Sequence, residues 1–140
     1  MAERASGHRS VPHTADVRIE AWAPTRERCV VEAVAAMVDS FADLSDRRPS
    51  ATACFRVDPG TDPDMLVSVL DEVIYLMDTT SQLPAEVDVT TVDDGFDVWM
   101  RMLDTDQVEL VGAVPKAVSL HELRFEPGAG DWSCSVTLDV

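Results

Sequence analysis

A chain of 140 residues with 46% hydrophobic content is long enough for one domain with a real core and short for two. Its 26 acidic residues against 11 basic ones give a net charge of −15, which repels a phosphate backbone. Direct nucleic-acid binding is therefore disfavoured, while divalent cations and basic protein surfaces are natural partners; the plainer use of such acidity is solubility.

No N-terminal apolar segment resembles a signal peptide and no run approaches the ~18 apolar residues of a membrane span, so a cytoplasmic protein without membrane attachment is expected. The three cysteines, Cys29, Cys54 and Cys134, form no C-x-x-C pair and read as reduced, small core residues.

Residues 1–11 are polar and aperiodic and read as a flexible tail, leaving 12–140 as a single domain. Asp16 to Trp22 alternates as a strand, with Val17, Ile19 and Ala21 on its buried face. Pro24 and Thr25 form a turn and an N-cap for a helix carrying Val30, Val34, Met37 and Phe41, which exits through Asp46-Arg47-Arg48-Pro49. Ala51, Ala53, Phe55 and Val57 mark a second strand.

Asp62-Pro63-Asp64 starts a second helix, with Asp62 as its cap. This helix is apolar around most of its circumference, with Leu66, Val69, Leu70, Val73, Ile74 and Met77, and is expected to be the more buried of the two. Asp71, Glu72 and Asp78 on it read as a solvated stripe, with a functional lining as the alternative.

The remainder reads as strands. Val87, Val89 and Thr91 lead through Asp93-Asp94-Gly95, where glycine supplies the positive φ, to Phe96, Val98, Met100 and Met102. Asp104 to Gln107 is a loop, Glu109–Val114 and Ala117–Phe125 are strands, and the phase slip between Leu120 and Leu123 predicts a bulge. Pro127 to Gly130 turns the chain into a last strand whose outward face ends at Asp139. The order strand-helix-strand-helix followed by about five strands defines an α+β fold, two helices packed on a largely antiparallel sheet.

Three sets of residues could do chemistry. Asp16, Asp139 and the Val140 carboxylate are oxygen donors of the type that Ca²⁺ and Mg²⁺ take. No local ligand loop accompanies them, and isolated strand-end aspartates are ordinarily solvated or paired with a basic neighbour. His13 and His121 could act as bases and Ser119 as a nucleophile, but no nucleophile elbow is present, and such histidines more often brace loops. Lys116, following Pro115, is an edge charge or a contact to an anionic group. No glycine-rich phosphate cradle exists.

Four stretches together resemble the archease family. They are His13-Thr14-Ala15-Asp16-Val17 with the following strand and Trp22, the helix Leu70-Asp71-Glu72-Val73-Ile74-Tyr75-Leu76-Met77-Asp78, the run Pro115-Lys116-Ala117-Val118-Ser119-Leu120-His121, and the ending Leu138-Asp139-Val140. The resemblance implies a non-enzymatic activator of RtcB-type RNA ligases, which promotes ligase guanylylation and repeated turnover in tRNA splicing and RNA repair. It implies a divalent-cation site, calcium or else magnesium or manganese, on Asp16, Asp139 and Val140, and a ligase-activating role for Lys116. His13 then becomes a brace for Asp16. Serine stands at 119 where the family commonly has threonine, and the segment from Asp104 to Glu109 is shorter and more acidic. Two alternatives stay open: a stand-alone small metal-dependent hydrolase, and a metal-independent chaperone-like module that binds a protein partner.

Overall fold

The computed structural model describes residues 5–12, 16–45 and 48–140. The first helix, α1 (Arg26–Asp39), starts where Thr25 leaves helical geometry and its Oγ1 accepts a hydrogen bond from the Arg28 N–H at 3.2 Å. The second, α2 (Asp62–Thr80), is capped by Thr61, whose Oγ1 accepts from the Asp64 N–H at 3.2 Å; Asp62, expected as the cap, is its first helical residue. Asp62 and Asp64 instead place negative charge at the positive end of the helix.

Nine strands accompany the helices among the described residues: β1 (Gly7–Pro12), β2 (Asp16–Ala23), β3 (Ala42–Asp43), β4 (Ala51–Val57), β5 (Gln82–Val92), β6 (Gly95–Asp104), β7 (Glu109–Leu110), β8 (Ala117–Pro127) and β9 (Trp132–Asp139). They form a four-stranded sheet in the order β1-β2-β9-β8, a three-stranded sheet β4-β6-β5 and a small β3-β7 pair, all antiparallel. The expected single sheet is thus divided. Each helix touches both larger sheets: α1 packs on β1, β2, β9 and β5, and α2 on β8, β4, β5 and β6. The core between them is built from Ile19, Met37, Phe41, Leu66, Leu70, Phe96, Met100 and Leu138 and their neighbours.

Several sequence readings need correction. Residues 7–11, expected in a flexible tail, belong to β1 and pair with Arg18 to Trp22 of β2, because a free edge on β2 presents unpaired N–H and C=O groups to any segment that can extend beside it. The segment after Gln107 is a strand only over Glu109–Leu110; Gly112 lies so close to the Ser40 carbonyl that a Cβ would sit 2.7 Å from it, and the chain runs irregularly to Lys116. In the β5–β6 hairpin, the positive φ values fall on Asp93 (51°) and Asp94 (64°), a two-residue turn whose twist matches its strands. Gly95 is needed for another reason, since a Cβ there would stand 2.3 Å from the Val57 carbonyl oxygen. Cys29 and Cys134 are core residues as expected, but Cys54 is exposed on β4. The exit turn at Asp46-Arg47-Arg48-Pro49 lies in part outside the described residues.

Other expectations hold. β4 alternates as read, and the bulge in β8 falls between Ser119 and Arg124, with Glu122 at φ 56°. No helix among the described residues is long and apolar enough to cross a membrane.

Candidate functional site

β2 begins at Asp16 and β9 ends at Asp139, and the two strands are antiparallel neighbours at the centre of the four-stranded sheet. The beginning of one therefore lies beside the end of the other. The register pairs Asp16 directly with Asp139, and Ala117 of β8 lies opposite Asp139 on its other side. Opposed residues of an antiparallel pair have Cα atoms about 4.5–5.5 Å apart and side chains on one face. Val17, Ile19, Leu138 and Val136 turn inward to the core, so Asp16 and Asp139 share the outward face.

Lys116 joins them through its backbone. Its N–H donates to the Asp139 carbonyl at 2.7 Å, which continues the β8–β9 ladder one residue beyond Ala117. Asp16 is half-buried, and Asp139 and Lys116 are exposed. Among the described residues, no hydrogen bond or ion pair reaches the side chain of Asp16, Asp139 or Lys116. Two like charges directly opposed on a sheet destabilise it unless a cation offsets them. The donor chemistry fits a hard divalent cation, although no group of three or more His, Cys, Asp or Glu side chains among the described residues is disposed to hold a metal. Val140 follows Asp139 at the same end. His13, the expected brace, lies outside the described residues.

The other candidates separate from this centre. His121 is exposed on the β8 bulge, its backbone N–H donating to Ser119 Oγ at 3.2 Å and its ring 3.7 Å from Glu122. That is a local brace of the bulge. Arg18, two residues along the same face from Asp16, pairs with Glu122 at 3.1 Å.

Two features escaped the sequence reading. A cleft beside the centre is formed by α2 and the irregular segment ending at Lys116, with Phe41 at its base. The surplus apolar residues of α2 were its only sequence signal. Asp71 and Asp78 are exposed, as a solvated stripe requires, but both also line this cleft. The second feature is His8, whose Nδ1 lies 2.8 Å from Glu32 and whose Nε2 lies 2.7 Å from Asp39, fastening β1 to α1. A neutral imidazole offers one N–H, so two carboxylates on opposite nitrogens fit the imidazolium. Burial by itself would lower its pKa, but the hydrogen bonds to Asp39 and Glu32 and their charges outweigh it and hold His8 above the usual histidine value. Its signal lay hidden in a segment read as tail.

Fold and site together define a small α+β domain in which the start of β2 and the end of β9 meet as an acidic pair. The chain belongs to the archease family: the model of the Archease protein family (MTH1598/TM1083) matches residues 8–140. It is 53% identical over 135 residues to a Mycobacterium tuberculosis protein named "Probable protein archease", covering 96% of this chain and 75% of that one. A "Protein archease" of Archaeoglobus fulgidus is 27% identical over 139 residues, 95% of this chain and 98% of its own. The solution structure of Methanobacterium thermoautotrophicum protein 1598 shares the fold with a TM-score of 0.77 at 22% identity, over 96% of this chain and 99% of that one. So does the crystal structure of a Thermotoga maritima protein described as "an archease, possible chaperone", with a TM-score of 0.66 at 17% identity over 93% and 94% of the two chains.

Proposed function

We propose that this chain is a non-enzymatic, cytoplasmic activator of an RtcB-type RNA ligase, and that it works through a divalent cation held at Asp16 and Asp139 with Val140 beside them. The register that sets Asp16 opposite Asp139, with Lys116 tied to the same residue, is the observation that supports this most strongly. A bound cation would supply positive charge for phosphate oxygens or for arranging a partner's own metal. Lys116, anchored to Asp139 by its backbone and lining the neighbouring cleft, offers a cation on a flexible stem suited to an anionic group of the partner's nucleotide. The net charge of −15 keeps RNA away from the domain itself, so the RNA chemistry belongs to the ligase.

The test is ligase turnover with the cognate RtcB-type enzyme and Asp16→Ala, Lys116→Ala and Asp139→Ala variants. Each is expected to lose at least tenfold of the activation without loss of folding, and full activation by all three would overturn the proposal. Calorimetric titration with Ca²⁺, Mg²⁺ and Mn²⁺ checks the cation separately. One site, lost in Asp16→Ala, is expected; activation without any cation binding would favour a chaperone-like docking module. Phosphoester turnover by the chain alone would point to a hydrolase.

A further inference from the structure

Of the large apolar side chains that stand exposed, Tyr75 (59%), Leu110 (53%) and Val114 (42%) converge on one cleft, between α2 and the segment that ends at Lys116. Single exposed apolar residues are ordinary, but a contiguous group with a polar rim marks a binding surface. The rim here is acidic. Asp71 and Asp78 stand a turn to either side of Tyr75 on one face of α2, and no described residue pairs with either.

We propose that this cleft is the docking surface for the ligase, and that it takes a protein segment presenting an apolar side chain flanked by lysine or arginine. The inference rests on the activator reading above and adds where the partner binds and by what chemistry. Although Asp71 is exposed, the helix surface around it partly desolvates its carboxyl and raises its pKa, which a cation arriving from a partner would reverse. The two carboxylates repel a phosphate backbone, so RNA is the wrong occupant. A second copy of this chain is disfavoured, because it brings only Lys116 as a basic group lining the cleft and each copy carries a net charge of −15. Lys116 both lines the cleft and donates its N–H to the Asp139 carbonyl, so the cleft ends against the strand that carries Asp139.

Trp99 provides a contrast. It is exposed on the three-stranded sheet, but the Arg101 guanidinium covers its ring at 5.7 Å and Arg101 itself lies 3.5 Å from Glu86. The charges beside it are already answered within the chain.

Binding of the cognate RtcB-type ligase to the full chain, measured by titration calorimetry, tests the proposal. Tyr75→Ser with Leu110→Ser, and Asp71→Lys with Asp78→Lys, are each expected to weaken binding tenfold or more, and Trp99→Ser to leave it unchanged. Calcium binding by both cleft variants should match wild type, which separates docking from the cation site. A benzoylphenylalanine replacing Tyr75 should crosslink to the ligase on irradiation and one replacing Trp99 should not; this reading survives any folding defect in the double variants. If wild type binds, but the cleft variants bind within twofold of it and position 75 does not crosslink, the cleft is excluded while the activator function stands. If wild type neither binds nor activates the ligase, that function fails and the docking site with it.

Discussion

The two helices differ in a way opposite to their sequences. α2 is the longer and more apolar, yet six of its nineteen residues are buried, against seven of fourteen in α1. α1 runs against β1, β2, β9 and β5, and His8 fastens β1 to it at Glu32 and Asp39, two turns apart, so even a helix with modest apolar content is covered. Among the described residues, α2 has β8 and the three-stranded sheet beneath it, a small contact with α1, and the irregular segment before Lys116 along one flank. Its surplus apolar surface is left to line a cleft. Apolar content thus measures how much surface a helix offers, while the neighbouring elements decide how much of it is covered.

The largest effect expected from this contrast is in stability. Met37→Ala, on α1 where the side chain is wholly buried, should cost about 2–5 kcal/mol in urea denaturation. Tyr75→Ala on α2 should stay within about 0.5 kcal/mol. Equal costs would break the comparison. Next come the caps, which should not distinguish the helices: Thr25→Ala and Thr61→Ala each remove one side-chain acceptor from a first turn and should each cost about 1 kcal/mol. A much smaller loss for Thr61→Ala would show that Asp62 and Asp64 hold the start of α2 without it.

The smallest effect is pH-dependent and belongs to α1. Because the folded state holds His8 above its ordinary value of 6.5, its contribution is complete below that value and is lost as pH rises through the higher folded value. The pairs are partly solvated, so the loss on raising the pH should not exceed about 1 kcal/mol. Thermal unfolding of wild type and His8→Gln from pH 6 to 9 checks this: the wild-type advantage should shrink toward the alkaline end, and a constant gap would mean that His8 is not charged.

Much of the fold was legible because its signals are local. Alternation at Val17, Ile19 and Ala21, the Thr25 cap, the Asp62-Pro63-Asp64 helix start and the phase slip after Leu120 all depend on residues within a turn or two. β1 was missed because its pairing comes from the free edge of β2 rather than from any periodicity of its own, and Glu109–Val114 was overextended because alternation cannot register that Gly112 abuts Ser40. At the candidate site, Asp16, Lys116 and Asp139 could be named from resemblance, but spacing across more than a hundred residues carries no distance. The cleft was legible only as surplus apolar surface on α2 and as the alternative reading of Asp71 and Asp78, since Tyr75, Leu110 and Val114 share no motif.

By itself the sequence determined the α+β class, the two helices with their starts, the acidic character and the family, because each follows from composition, short-range pattern or matched motifs. Only the tertiary structure decided that Asp16 stands opposite Asp139, that Lys116 is tied to the same residue, and that α2 keeps an open apolar flank. Those are consequences of strand order and antiparallel register, which join residues far apart in the chain and leave no trace in their local neighbourhoods.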